Sequence, residues 1–141
     1  MQITINIPTK SDIINGLGVV VSAARNGEPW SKSQLGQYAD KSGVYIHHSN
    51  GEILYIGKTT KGYHGNFGER LRREFQKKAS KNSTLYQLLA RQENAIRTYC
   101  IELDAIDGLV RLEQMPISVV RKALIMEQAL IGVYNPEGNK G

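Results

Sequence analysis

The sequence predicts an α/β fold in which a small, mainly antiparallel sheet of three strands is flanked by helices and preceded by an N-terminal extension. The first observation is a hairpin, because residues 44–46 and 53–56 are rich in β-branched and aromatic side chains and enclose the turn signal His48-Ser49-Asn50-Gly51. The second is a strand-like run over residues 95–103. The third is the helical spacing of apolar residues after the hairpin, which supplies the flanking helices.

The aliphatic pattern predicts the register of this hairpin. A two-residue Asn50-Gly51 turn would scatter the aliphatic side chains over both faces of the sheet. A three-residue Ser49-Asn50-Gly51 turn puts Tyr45 opposite Tyr55 and sorts the side chains, so we predict this turn. It gives a core face with Val44, Ile46, Leu54 and Ile56, and a polar face with Tyr45, His47 and Tyr55. The alternative is that the tyrosines only pad a half-buried sheet.

Residues 1–42 are predicted to form an extension packed on the main domain, which covers residues 43–141. With 141 residues, the chain suits a single domain with one core. Within the extension we expect three short elements: a strand over 3–7, an apolar segment from Ile13, and a small helix over 33–39.

After the hairpin, Asn66 is placed to cap a helix over residues 67–79, with Leu71 and Phe75 facing inward. Further elements are a helix over 83–92 that packs Leu85, Leu88 and Leu89, the third strand, and a long helix from Pro116 to about residue 134. On this last helix, Glu127 falls on the same side as Ala123. A carboxylate there is costly to desolvate unless it is paired, so a salt bridge to a basic residue is one interpretation.

Charge is concentrated in one segment of the chain. The formal net charge is +5, and residues 58–81 hold eight basic side chains against two acidic ones. Such a basic patch favours a polyanionic ligand, although a solvated helix face is the simpler interpretation. The single Cys100 excludes an intramolecular disulfide and a cysteine-based zinc cluster. The apolar stretch over residues 13–24 is too short to span a membrane, so we expect a cytoplasmic protein without membrane contact.

Gly43-Val44-Tyr45 and Tyr55-Ile56-Gly57 resemble the two signature triplets of the GIY-YIG nucleases. Three further matches follow in the order of the family: Arg70 before Leu71, Glu127 on a later helix, and Asn139 after Pro136. The run over residues 127–139 is the part most similar to the family pattern, including Leu130, Ile131, Tyr134 and Pro136. The resemblance extends from residue 43 to residue 139, about two thirds of the chain.

The resemblance implies a GIY-YIG-like domain and a DNA endonuclease that depends on Mg²⁺ or Mn²⁺ and leaves a 5′-phosphate and a 3′-hydroxyl. It implies six catalytic residues: Tyr45, Tyr55, Lys58, Arg70, Glu127 and Asn139. By family analogy, Tyr45 is the general base, and its pKa would have to be lowered by Lys58, Arg70 and the metal. The other roles are Tyr55 for the water or a phosphate oxygen, Arg70 for the phosphate, Glu127 for a single metal ion, and Asn139 for orientation.

Two features depart from the family pattern. Residues 59–69 are longer than in the repair and homing members and look more like the restriction endonucleases, which indicates a DNA-contacting insertion. The predicted DNA-binding residues are Lys61, His64, Arg72, Arg73 and Lys77. Four residues after the arginine, many members carry His or Tyr, whereas this chain has Glu74. His47, His64 or Tyr63 could take over that role.

The leading interpretation is thus a metal-dependent DNA endonuclease, either restriction-like or from a mobile element. A structure-selective repair or recombination nuclease is the second. A nucleic-acid-binding module without activity is the third, supported by Glu74 alone. The sequence leaves open whether the protein forms a homodimer.

Overall fold

The computed structural model describes residues 2–16, 18–21, 32–60, 65–75, 83–113 and 116–140. The strands are β1 (Ile3–Ile5), β2 (Val19–Val21), β3 (Gly43–Ser49), β4 (Glu52–Thr59), β5 (Ile96–Glu102) and β6 (Val110–Leu112). The α-helices are α1 (Lys10–Asn15), α2 (Phe67–Phe75), α3 (Ser83–Ala90), α4 (Leu103–Leu109) and α5 (Val119–Tyr134). Two 3₁₀ segments, at Lys32–Tyr38 and Glu137–Asn139, complete this mixed α/β fold.

The strands of the described residues form two antiparallel sheets. The larger has four strands in the order β2-β5-β3-β4, and the smaller pairs β1 with β6. The prediction of a mainly antiparallel sheet was therefore correct, but the prediction that this sheet has three strands was wrong. It missed β2, which joins the sheet beside β5, because three consecutive valines are too short a run to predict a strand from sequence. Strand β3 lies between β4 and β5, so its side chains are sheltered on both edges.

The hairpin register differs from the prediction. Ser49 pairs with Glu52 across a two-residue turn, in which Asn50 and Gly51 have φ angles of 52° and 78°. Positive φ at both positions is the geometry that Asn-Gly favours in hairpins, and this local preference decides the turn. A bulge between His47 and His48 then leaves one residue of β4 unpaired and restores the alternation. As a result Tyr45 lies opposite Gly57, not opposite Tyr55.

The bulge preserves the predicted face for the three polar aromatic residues. His47 pairs with Tyr55, and the rings of Tyr45, His47 and Tyr55 lie within contact of one another. Leu54 was predicted on the opposite face, and this is wrong, because the bulge turns it into the cluster that contains Tyr45. Ile53 instead packs with Val44, Ile46 and Ile56.

Both faces of the large sheet are packed with apolar side chains, so the prediction of one core face and one polar face was wrong. The aliphatic face is covered by α5 and α4 and contains Val44, Ile46, Ile56, Ile106, Ala123, Met126 and Leu130. The tyrosine face is covered by α2 and α3 and contains Tyr45, Leu54, Phe67, Leu71, Phe75, Leu85, Leu88 and Leu89. The burial of these side chains supplies the main stabilisation of the fold.

The helix predictions were largely correct. Asn66 caps α2, since its Oδ1 accepts the amide of Glu69 at 2.8 Å, and Leu71 and Phe75 are fully buried. The predicted end of this helix lies outside the described residues. The long helix begins at Val119 and not at Pro116, because the Ser118 side chain caps it through the amide of Arg121. Within the described residues, no helix is both long and apolar enough to cross a membrane.

Candidate active site

A buried contact between β3 and α2 forms the centre of the site. The Tyr45 hydroxyl donates a hydrogen bond to Oε2 of Glu74, and neither side chain has more than marginal contact with solvent. The Nε group of Arg70 lies 3.4 Å from the Tyr45 hydroxyl and 3.5 Å from Oε2 of Glu74. Arg70 is 37% exposed, so its guanidinium reaches from this buried pair to the surface. The arrangement joins an acceptor, a hydroxyl and a cation that can meet an anionic ligand.

His47 and Thr98 extend this cluster across the sheet. His47 Nε2 lies 3.0 Å from Oε1 of Glu74, and His47 Nδ1 lies 2.9 Å from the hydroxyl of Thr98 on β5. His47 and Thr98 have no exposed surface. Because a carboxylate oxygen accepts hydrogen bonds, Nε2 of His47 is assigned as the donor to Glu74, and the Thr98 hydroxyl is the partner of Nδ1. The edge of the Phe75 ring holds the imidazole in place.

Glu74 is the residue whose importance the sequence interpretation missed. It was treated as the loss of a family His or Tyr, whereas the structure buries it among Tyr45, His47 and Arg70. A signal was present in the sequence. Glu74 lies three residues after Leu71 and four after Arg70, so it belongs on the inward stripe of α2 and can pair with that arginine. A carboxylate is costly to bury. The contacts of Glu74 with three partners offset this cost, so the residue type is matched to its position.

Tyr45 does not have the electrostatic environment that its predicted role requires. Burial raises the pKa of Tyr45 well above its usual value, the negative charge of Glu74 raises it further, and Arg70 opposes these effects only in part. The expectation of a lowered pKa was wrong, because the nearest charged group is a carboxylate that sequence analysis did not place there. Tyr45 is therefore a neutral hydroxyl in this structure.

Tyr55 lies closer to solvent than Tyr45. It is half-buried, and its ring lies beside that of Tyr45, with the two centroids 6.2 Å apart. Burial raises the pKa of Tyr55 to about 12, and the charges of Glu74 and Glu127 contribute to the rise while Arg70 opposes it. Glu127, on α5, thus acts on Tyr55 through its charge, and Tyr55 lies between the surface and the buried cluster.

These raised pKa values predict a loss of stability at alkaline pH. Tyr55 ionises near pH 10 in the unfolded chain but near pH 12 in the folded protein, so the unfolded state binds fewer protons between these values. The stabilisation is complete below pH 10 and falls as the pH rises toward 12. We expect the melting temperature to fall over this window, and to fall less for Tyr55→Phe. Equal pH dependence of the two proteins would contradict this account of Tyr55.

The close approach of two tyrosine rings explains why the second triplet ends in Gly57. A Cβ atom at this position would lie 2.5 Å from Cζ of Tyr45 and 2.9 Å from Cε2 of Tyr55. The Tyr45 ring therefore crosses directly over the backbone of Gly57, its cross-strand partner. Gly43, in the first triplet, has a φ angle of 153° and approaches the backbone of Ile101 too closely for a side chain. Gly57 thus leaves room for the Tyr45 ring, and Gly43 allows β3 to lie close to β5.

Substitution of Gly57 tests this close packing. Gly57→Ala is expected to displace the Tyr45 ring and cost about 1–3 kcal/mol of unfolding free energy, the usual effect of overpacking. The matched control is Gly132→Ala on α5, where an added methyl meets no atom within 4 Å. Urea denaturation of both variants measures the difference. A Gly57→Ala protein as stable as the control would show that the ring can move without cost.

Glu127 and the divalent metal implied by the resemblance are compatible. Glu127 is half-buried on α5, and its Oε1 accepts a hydrogen bond from Gln128 at 3.2 Å. Among the described residues no group of three or more His, Cys, Asp or Glu side chains could enclose a metal ion. A single carboxylate suits Mg²⁺, which keeps several waters and also binds phosphate oxygens. Glu74 is unsuited to this role, because both of its oxygens already accept hydrogen bonds.

Asn139 has a structural position at the end of the chain. Its Oδ1 accepts the amide of Ile56 at 2.9 Å, and its Nδ2 donates to the carbonyl of Ile56 at 2.8 Å. This pair of bonds occupies the free edge of β4 and holds the 3₁₀ segment that contains Asn139 beside Tyr55. The side chain therefore positions the strand and does not point to an open ligand site.

The remaining predicted residues are less close to the tyrosines. Lys58 pairs with Val44 in the ladder, and this register puts it on the face opposite Tyr45. Arg72 on α2 lies 3.4 Å from Glu69, and Arg73 is half-buried on the same helix. Lys61, Tyr63, His64 and Lys77 fall outside the described residues. The structure thus brings together Tyr45, Tyr55 and Arg70, whereas Glu127 acts on Tyr55 only through its charge.

Comparison of the chain with known protein families, with curated proteins and with solved structures found no match.

Proposed function

We propose that the protein is a Mg²⁺-dependent DNA endonuclease with a GIY-YIG-like fold, which hydrolyses phosphodiester bonds. The observation that carries the proposal is the cluster of Tyr45, Tyr55 and Arg70, in which a partly exposed guanidinium is hydrogen-bonded to a tyrosine hydroxyl. Hydrolysis of a phosphodiester needs a path for the proton of the attacking water and positive charge for the phosphorane oxygens. The tyrosines can supply the first and Arg70 the second.

Arg70 is suited to the phosphate in particular. Its Nε group contacts Tyr45 and Glu74, and these contacts leave its terminal Nη groups to bind a phosphate oxygen. Glu127 would hold the metal ion, which when bound would relieve the charge on the leaving oxygen. Glu127 acts electrostatically on Tyr55, so a metal ion bound to Glu127 would also act electrostatically on the tyrosine hydroxyls. Products with a 5′-phosphate and a 3′-hydroxyl are expected.

DNA is the proposed polymer because of the basic segment over residues 58–81. Restriction-like or mobile-element cleavage and structure-selective cleavage both remain compatible with the site. One observation favours the inactive binding module, namely that Tyr45 is completely buried and bonded to Glu74. The retained Arg70 and the half-buried Tyr55 favour the nuclease, since both reach toward solvent.

Incubation of the purified protein with supercoiled plasmid tests the proposal. We expect nicked or linear DNA with Mg²⁺ and intact plasmid with a chelator in excess. Ligation of the products and end-labelling then identify the 5′-phosphate. Binding without nicking over a range of Mg²⁺ and Mn²⁺ concentrations would leave the inactive module as the better conclusion.

The basic face of α2 gives a separate prediction about binding. Arg73→Ala is expected to weaken DNA binding at every sequence and to reduce the slope of log K against log salt by about 1, because one phosphate contact releases about one counterion. Arg111→Ala on β6 is the control, since it removes the same charge outside the basic segment. Fluorescence anisotropy across a salt series measures both. An unchanged slope for Arg73→Ala would make this part of α2 a solvated helix face.

A further inference from the structure

The carboxylate of Glu74 has a role that the proposed hydrolysis leaves open. A water molecule that attacks phosphorus must lose a proton, and a neutral tyrosine hydroxyl can take that proton only if it passes its own proton on. The Tyr45 hydroxyl already donates its proton to Oε2 of Glu74. Glu74 is 7% exposed, so solvent does not compete strongly for that carboxylate oxygen.

Tyr55, Tyr45 and Glu74 follow one another from the surface inward. The Tyr45 oxygen gives its proton to Glu74 and lies beside the Nε–H of Arg70. Its remaining lone pair is available to the hydroxyl of Tyr55, whose ring lies beside that of Tyr45 with the centroids 6.2 Å apart. Because Tyr55 is half-buried and Tyr45 is completely buried, this series opens toward solvent at Tyr55. Tyr55 therefore lies between solvent and the Tyr45–Glu74 hydrogen bond.

Glu74 is also held by His47, which is itself bonded to Thr98 on β5. Oε1 receives the Nε2–H of His47, whose Nδ1 atom is fixed by Thr98, and Oε2 is left for Tyr45 and Arg70. A carboxylate that merely neutralised Arg70 would need no such support from β3 and β5. The facing titratable or charged groups in the described residues are Tyr45 and His47 on β3, Tyr55 on β4 and Arg70 on α2.

Resting on the proposed nuclease function, we propose that Glu74 is the terminal proton acceptor of the site and that His47 is the positioning residue that holds it. The water proton passes to the Tyr55 oxygen, the Tyr55 proton to Tyr45, and the Tyr45 proton to Oε2 of Glu74, which becomes a carboxylic acid. The hydroxide oxygen bonds to phosphorus while the bond from phosphorus to the 3′-oxygen breaks. The 3′-oxygen leaves with the electron pair and takes a proton from solvent, and Glu74 later returns its proton along the same chain.

Glu74→Gln tests the acceptor, because it keeps the size of the side chain and removes its ability to take a proton. Single-turnover cleavage with Mg²⁺ should fall about a hundredfold or more at neutral pH, the scale of general-base contributions. The rate of the variant should then rise steadily with pH, since solvent hydroxide replaces the missing acceptor. Glu69→Gln on the same helix is the control and should cleave like the wild type.

The shape of the pH profile separates the relay from a structural role. A Glu74→Gln protein that is slower by the same factor at every pH would overturn the relay, and so would one with wild-type rates. In both cases cleavage by the wild type would leave the nuclease standing. If the wild type does not cleave DNA at all, it is the proposed function that fails, and the relay fails with it.

A second pair of variants keeps the test decisive if Glu74→Gln does not fold. His47→Leu removes the donor to Glu74 and should lower cleavage about tenfold or more, whereas His47→Gln can donate through its amide and should recover most of the loss. Wild-type cleavage by His47→Leu would overturn the positioning role. Equal loss in both variants would show that the imidazole itself is required, and would also overturn it.

Discussion

Tyr45→Phe is expected to lower Mg²⁺-dependent DNA cleavage about a hundredfold or more, the scale on which loss of a positioned proton-transfer group acts. The substitution removes one oxygen and retains the ring that packs against Phe67 and His47. It breaks the hydrogen bond to Glu74 and the contact with Arg70 at the same time. Affinity for DNA should change little, since the ring is completely buried. Single-turnover cleavage and anisotropy measure the two effects.

Stability must be measured beside activity for this variant. The loss of the Tyr45 hydroxyl leaves one acceptor of a buried carboxylate without its donor, at a cost of about 1–3 kcal/mol. Tyr134→Phe is the matched control, because it also removes a hydroxyl with a hydrogen bond, here to the carbonyl of Pro8 at 2.7 Å. We expect this control to lose some stability and to keep its cleavage rate. A folded Tyr45→Phe protein with wild-type cleavage would reduce Tyr45 to a packing residue.

Glu127→Gln is expected to abolish most of the Mg²⁺-dependent cleavage, by about a hundredfold or more, because it replaces the proposed metal-binding carboxylate by a neutral amide. The fold should tolerate the change, since the half-buried side chain keeps its size. The negative charge that raises the pKa of Tyr55 disappears as well, so Tyr55 should ionise at lower pH in the variant. Cleavage as a function of Mg²⁺ concentration and tyrosine titration by NMR provide the two readouts.

The NMR readout separates a misfolded variant from one that has lost its metal. Glu102→Gln is a suitable control, because Glu102 is also half-buried but lies at the end of β5. It should keep the Mg²⁺ dependence of the wild type. If Glu127→Gln retains its melting temperature and cleaves with unchanged Mg²⁺ dependence, the metal is held elsewhere and Glu127 is a surface carboxylate of α5.

Local sequence preferences predicted most of the helices and strands, and also the shared face of Tyr45 and His47. The two runs of β-branched and aromatic residues form the hairpin, and Asn66 begins α2 as its short polar side chain requires. The leucines at helical spacing in α3 are buried. Alternation along β3 put Tyr45 and His47 on one face. These features depend on neighbours within a few residues, so they can be inferred from the order of the amino acids.

The burial of the site and the charges within it depend on contacts between residues that are distant in sequence. The bulge at Leu54 depends on packing against α2 and α3, and no local pattern in the hairpin specifies it. The role of Glu74 was not predicted, because its partners His47 and Tyr45 on β3 lie 27 and 29 residues away in sequence. Thr98 is 51 residues from His47. The charge beside Tyr45, and with it the direction of the pKa shift, is set by these distant partners, since electrostatic energy depends on spatial distance and burial, which the sequence does not state.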